Sequence, residues 1–192
     1  MGVGDRPIPV AVIGVGHVGQ HHARLYRELP GAELVAVCDT DAARAATVAA
    51  REGAEAVADF RSLLGKVDAV SVAVPTVHHR AVAGAFLEAG ADVLVEKPIA
   101  ESLEEAEALV AAARRAGRVL QVGHVERFNG GVRALHVLVR EPGFIECHRL
   151  GPFAGRGTDV DVVRDLMIHD IDIILSLVRS PVVQVQAVGV PV

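Results

Sequence analysis

Aromatic residues are nearly missing from this chain: it has no Trp, a single Tyr and five Phe. Ala, Val and Leu must therefore fill the core. Cysteine is also scarce. Cys38 and Cys147 are too few for the disulfide framework of a short secreted domain, and each reads as a small buried apolar residue. Basic residues are not in excess. The net charge of −5 argues against nucleic acid as a partner, since such proteins carry a basic stripe. No apolar run approaches the roughly 20 residues that a membrane span needs, and Met1–Pro9 lacks the charged and apolar halves of a secretory signal. The expectation is a cytoplasmic chain with no membrane partner. What is plentiful is apolar surface: 51% of the 192 residues are hydrophobic and 22% charged, which supports a packed core and excludes disorder. The length suits one domain and part of a second.

Short β-rich runs alternate with helical patterns over the first part of the chain. Val10–Gly14 is a continuous apolar run, as a strand buried on both faces requires. A helix is predicted over Val18–Leu29, stopped by Pro30 and Gly31. The next elements are a strand at Leu34–Asp39, an Ala-rich helix at Asp41–Glu52 ended by Gly53, a short strand near Val57 and a small helix at Arg61–Leu64. Strands at Ala69–Val74, Val93–Glu96 and Val119–Val122 follow. Between them lie helices at His79–Glu88 and from Ser102 to about Ala116, the latter opened by the capping-box spacing of Ser102 and Glu105. Six such alternations predict an α/β fold, a doubly wound parallel Rossmann sheet, over residues 1–122. Beyond Gly123 the alternation stops. A helix near Val132–Arg140, a strand near Phe144–Leu150, a Gly-rich loop at Gly151–Gly157, a long apolar helix at Val163–Val178 and a valine-rich strand at Val182–Val190 are expected. They read as a partial α+β second domain over residues 123–192.

The segment Gly14-Val15-Gly16-His17-Val18-Gly19 reads GxGxxG. The pattern has meaning here because it leaves a predicted strand and opens a predicted helix. Gly14 permits the tight turn, Gly16 lets a pyrophosphate approach the backbone, and Gly19 lets helix and strand pack closely. The helix start, His17 and Val18 included, offers free N–H groups and a positive dipole end to phosphates. Asp39 stands about twenty residues after Gly19, at the end of the second strand. A carboxylate there can accept both hydroxyls of the adenosine ribose and repel a 2′-phosphate. No Arg follows at Thr40, so NAD is expected over NADP. A bland role for Asp39, as a turn residue opening the next helix, is compatible with this one.

Glu96-Lys97-Pro98 closes the fifth strand, and ligands of doubly wound sheets bind beyond the carboxyl ends of the strands. Together with GxGxxG and with Pro75-Thr76 followed by His79, this tripeptide resembles the Gfo/Idh/MocA oxidoreductases. The resemblance implies an NAD(P)-dependent dehydrogenase of sugars, cyclitols or sugar nucleotides. It also implies that Pro75, Thr76, His79, Glu96 and Lys97 belong to the cofactor site. The family's second domain carries Asp-x-x-x-His-x-x-Asp on a helix, and Asp165, His169 and Asp172 match it. At about 100° per residue these three and Ser176 fall near one line of an otherwise apolar helix. Such a stripe is either bonded inside the protein or lines a cavity. For Asp172 the structural role is favoured. A metal site around His169 lacks a further ligand set, so none is expected. The resemblance assigns Lys97, Asp165 and His169 to catalysis and to the substrate. Whether Lys97 or His169 is the base stays open, and so does a non-catalytic NAD(H) sensor, which would have no need of these three.

Two stretches resemble one branch of the family, the sugar-nucleotide 3-dehydrogenases that oxidise UDP-N-acetylglucosamine or its uronate. They are Gly123–Asn129, and Glu146–Arg149 running on to Asp165–Asp172. One departure is Gly130, where Pro is frequent. Arg149 and Arg156, around the Gly-rich loop, suit a diphosphate or are ordinary surface arginines. Family members run well past 300 residues, so this chain of 192 reads as partial. Its last strand would be an apolar sheet edge unless paired. Either a missing part completes the sheet or a second copy covers that edge. The resemblance implies a homodimer or homotetramer through the second-domain sheet, and this form is expected to bind cofactor but turn over weakly.

Overall fold

Each apolar run of the first half finds a parallel neighbour. The structure, a computed structural model, describes residues 6–150 and 161–190. Strands β1 (Ile8–Ile13), β2 (Ala32–Cys38), β3 (Glu55–Val57), β4 (Ala69–Val72), β5 (Asp92–Val95) and β6 (Leu120–Val122) form one sheet in the order β3-β2-β1-β4-β5-β6. Every pairing is parallel. Strands β1, β2, β4 and β5 stop one or two residues short of the expected ends. Those trimmed residues, among them Gly14, Asp39 and Glu96, are the ones that turn away from the ladder into the site.

Strand alternation sorts the core into two layers. Val10 and Val12 of β1 pack with Ala23 of α1 (Gly19–Glu28) and with Val48 and Ala49 of α2 (Ala42–Glu52). Ala11 and Ile13 point the other way. They join Phe86 and Leu87 of α3 (His79–Glu88), and Leu109 and Ala112 of α4 (Leu103–Ala116). Helices thus cover both faces, as a parallel sheet demands. The pairing of β1 with β2 skips Val35: Val10 faces Leu34 and Ala11 faces Ala36. Because side chains alternate with period two, this bulge turns the rest of β2 over. Ala36 and Cys38 consequently lie in the α3/α4 layer while Val37 lies with α1 and α2.

The helix ends follow local chemistry. Asp41 caps α2 by accepting from the Arg44 N–H at 3.0 Å, and Gly53 ends it with φ +74°. Ser102 caps α4 by accepting from the Glu105 N–H. Cys38 is buried, and burial pushes its thiol up to about 11, with Asp39 and Asp59 adding to the effect. It behaves as the apolar residue expected.

The chain divides into two units, 1–123 and 124–192. The second holds a tight 3₁₀ turn at Val125–Phe128, α5 (Gly130–Leu138), a π-helical turn at Val163–Met167 and α6 (Ile168–Leu177). Three expectations change here. The segments 144–150 and 182–190 pair with no strand among the described residues, and a strand forms only where a ladder partner takes up its backbone groups. Cys147 lies in the first of these segments and is exposed, not buried. The helix expected to be buried over Val163–Val178 begins with the π turn and keeps no fully buried residue, with Leu175 at 53% exposure. Its apolar faces have no covering sheet among the described residues. The expected Gly-rich loop 151–157 lies outside the described residues. No described helix is long and apolar enough to cross a membrane.

The aromatic-poor core concentrates its bulk at Phe86, which is fully buried. Phe86→Ala should cost about 3–5 kcal/mol of unfolding free energy, measured by urea denaturation. A loss under about 1 kcal/mol would show that the α3/α4 layer does not depend on it.

Candidate functional site

Four turns at the carboxyl ends of the strands carry the site of the first unit. The first joins β1 to α1. Gly14 has φ +83°, and a Cβ there would stand 2.7 Å from the Ala73 carbonyl oxygen of the β4 turn. A Cβ on Gly19 would run into the Gly14 carbonyl, whereas one on Gly16 would meet nothing within 4 Å. The first and third glycines are therefore packing requirements, and the middle one faces open space. No side chain caps the start of α1. The Gln20 and His21 N–H groups turn back to the Gly16 and Val18 carbonyls, and the positive end of the helix faces the open space over Gly16. His17 and Val18 are exposed beside it. This is the cradle a pyrophosphate needs, and the residues fit a dinucleotide.

The second turn follows β2. Asp39 is buried, yet its carboxylate is bonded on every side. Oδ2 accepts from the Val15 N–H at 3.0 Å and Oδ1 from the Asp41 N–H at 2.9 Å. The Arg44 guanidinium adds Nη1 contacts of 3.3 Å to both oxygens. The Val15 bond ties Asp39 to the glycine loop, so the spacing read from the sequence does place the acid there. Arg44 was missed. The sequence shows it only as an i, i+3 partner of Asp41, a pair the structure also forms at 3.3 Å.

The third and fourth turns follow β4 and β5. Lys97 is half-buried after β5, and the Lys97–Pro98 peptide is cis. His79 is 1% exposed, so its ring offers no surface to a ligand. Its Nδ1 lies 2.9 Å from the Pro98 carbonyl and its Nε2 2.9 Å from the Val74 carbonyl. It clasps the two turns together. Thr76 is buried beside it and Pro75 is exposed. Glu96 reaches across to α1, where its Oε1 meets His22 Nε2 at 3.1 Å, and its Oε2 accepts from the Lys97 N–H. Burial works to raise the Glu96 carboxyl. The His22 hydrogen bond and charge, then the Lys97 amide and ammonium, outweigh it and hold the carboxyl below its ordinary value. Gly123 makes room for this, since a Cβ there would stand 2.8 Å from Glu96 Oε1. His22, three residues past the last loop glycine, carries no motif signal and was also missed.

The second unit places Asp165 in the π-helical turn and His169 at the start of α6. A π turn interrupts the regular 100° step, and such turns recur at functional sites. Asp172 takes the structural part: the Arg127 guanidinium bonds both of its oxygens, Nε donating to Oδ2 at 3.0 Å and Nη2 to Oδ1. Asp172 in turn holds Arg127 above its usual range. Arg149 is gripped by Asp170, at 2.9 and 2.7 Å. That pairing raises the guanidinium and lowers the carboxyl, so Arg149 would have to leave Asp170 to meet a diphosphate. Arg156 lies outside the described residues. Lys97 belongs to the first unit, and Asp165 and His169 to the second.

Residues 8–124 match the oxidoreductase family with an NAD-binding Rossmann fold, GFO_IDH_MocA, and the chain belongs to that family. UDP-N-acetylglucosamine 3-dehydrogenase of Acidithiobacillus ferrooxidans is 43% identical over 180 residues, covering 93% of this chain and 57% of the relative. A solved structure of that enzyme matches with a TM-score of 0.90 at 41% identity, over 96% of this chain and 61% of the other. Inositol 2-dehydrogenase 3 of Saccharopolyspora erythraea is 35% identical over 193 residues, 94% of this chain and 56% of the relative. The chain thus spans a little over half the length of these relatives.

Two outcomes follow from the site geometry. Gly16→Ala should fold like the parent but lose at least tenfold in NADH affinity, whereas Gly19→Ala should lower stability by about 1–3 kcal/mol through overpacking. Melting curves and NADH fluorescence titrations separate the two, and equal effects would refute the assignment. Glu96, with its folded value depressed, adds stability that is present above its ordinary value of 4.5 and lost as pH falls through the lower folded value. Melting midpoints of Glu96→Gln should therefore fall less steeply than the parent's below about pH 4.5. Parallel curves would mean that the His22 pair has no such effect.

Proposed function

We propose that the chain is the cofactor domain, residues 1–122, and the first part of the substrate domain, residues 123–192, of an NAD-dependent dehydrogenase. It would oxidise a secondary hydroxyl of a sugar nucleotide, the 3-hydroxyl of a UDP-N-acetylhexosamine. The observation that carries the reading is the Glu96-Lys97-Pro98 turn, tied through His22 to the helix that follows an open, uncapped glycine loop. The 43% identity to a UDP-N-acetylglucosamine 3-dehydrogenase supports the substrate class. Gly14, Gly16, His17, Val18 and Gly19 would hold the pyrophosphate and Asp39 the adenosine ribose. His79, Pro75, Thr76 and Glu96 would shape the nicotinamide end.

Removing two hydrogens from an alcohol takes a hydride from carbon and a proton from oxygen. Bound NAD+ supplies the hydride acceptor. Lys97 holds the substrate oxygen and stabilises its developing negative charge. The proton passes to His169 or to Lys97, and an imidazole suits that work at neutral pH. Asp165 orients His169 and stabilises its charged form. Arg149, freed from Asp170, and Arg156 would meet the diphosphate. The protein would work in the cytoplasm as a homodimer or homotetramer.

The expected binding order is NADH at least tenfold tighter than NADPH by calorimetry, and equal affinity would remove the role given to Asp39. A thermal-shift panel with NAD+ present should respond to UDP-N-acetylglucosamine and not to myo-inositol or glucose. The reverse pattern would move the substrate to the cyclitols, as the 35% identity to an inositol 2-dehydrogenase would then suggest. In a complete, active form, Lys97→Ala and His169→Ala should each cost at least about a hundredfold in turnover, with NAD+ binding little changed. Near-normal turnover in both would leave an NAD(H) sensor as the better reading.

A further inference from the structure

The buried Asp39 carboxylate is already full. A carboxylate offers about four acceptor sites, and here the Val15 N–H, the Asp41 N–H and two Arg44 contacts use them. The two backbone bonds are short and belong to the fold. The Arg44 contacts are longer, at 3.3 Å, and the Arg44 side chain is 49% exposed. Ribose hydroxyls can reach both oxygens of Asp39 only by displacing Arg44. Arg44 is the partner able to move, because its side chain is half-exposed and its contacts are the longest of the four, while the two backbone N–H bonds keep the buried carboxylate satisfied when it does. Arg44 is not lost from the site when it lets go. Its Nη2 also pairs with Asp41 Oδ2 at 3.3 Å, and its backbone sits in the first turn of α2. The guanidinium therefore stays at the edge of the ribose subsite. A planar fork of donors there is what a phosphate monoester on the 2′-oxygen would need.

We infer that Arg44 sets the cofactor selectivity of this site: it closes the Asp39 carboxylate in the free protein, yields it to the ribose diol of NAD(H), and offers its guanidinium to the 2′-phosphate of NADP(H), which is thereby admitted as a weaker second cofactor. The inference rests on the proposed ribose role of Asp39. It changes the consequence of that role, because a lone buried carboxylate would exclude the phosphate outright, whereas a carboxylate paired with a movable arginine only disfavours it. The absence of an arginine at Thr40 is made good one helical turn later in the fold.

The test is a set of fluorescence titrations with NADH and NADPH on the parent chain, Arg44→Ala, Arg44→Lys and Asp39→Asn, each checked by melting curve. Arg44→Ala should still melt cooperatively as a folded protein, lose at least tenfold in NADPH affinity and raise the NADH-to-NADPH affinity ratio by about as much. Arg44→Lys should fall between the parent and Arg44→Ala. An unchanged ratio in Arg44→Ala overturns the inference. Failure of the parent to bind NADPH at millimolar concentration overturns it equally. Asp39→Asn reports on the underlying reading alone: a folded Asp39→Asn that binds NADH as tightly as the parent refutes the ribose role, whatever Arg44 does.

Discussion

The contact between Gly19 and the Gly14 carbonyl is the constraint on which the site depends. It brings the first turn of α1 against the end of β1 with no room for a Cβ. No side chain caps the helix start, and the space over Gly16 is open. The β4 turn closes the other side, since Gly14 lies against Ala73. The strand order β3-β2-β1-β4-β5-β6 makes β1 and β4 neighbours although they connect to opposite flanks of the sheet. The crevice where the order reverses is where doubly wound sheets bind ligands, and here the four turns lie at that end of the sheet.

Buried polar side chains hold those turns in register. Each has at least one partner far away in sequence. Asp39 reaches Val15, His79 bridges Val74 and Pro98, and Glu96 reaches His22. Buried polar groups are costly when unpaired, so each bond fixes one turn against another. Lys97 inherits its position from this arrangement. It follows Glu96, which α1 holds through His22, and precedes Pro98, which α3 holds through His79. The turn that presents the amine is thus braced on two sides, by one helix from each layer of the core.

Among its described residues, the second unit is held by ion pairs rather than by a buried core. Arg127 with Asp172 and Arg149 with Asp170 are both bidentate, and both acids lie on α6. The apolar residues of α6 stay partly exposed, with Ile171 at 39%. A helix this apolar is built to be covered. The relatives that match the chain are longer by nearly half their own length.

The sequence by itself determined the alternation of strands and helices, the glycine loop, the acid after the second strand and the lysine after the fifth. These are local statements. Periodicity, capping and a turn need only neighbours along the chain, and Asp41, Ser102 and Gly53 behave as their types require. The tertiary structure decided the rest. It placed Arg44 on Asp39, His22 on Glu96, and the His79 ring inside the protein rather than facing a ligand. It withdrew the strands expected at 144–150 and 182–190, since neither finds a ladder among the described residues. The physical reason is the same in each case. A hydrogen bond or a ladder is made between two partners, and residues as far apart as His22 and Glu96 become partners only through the order in which the strands lie side by side.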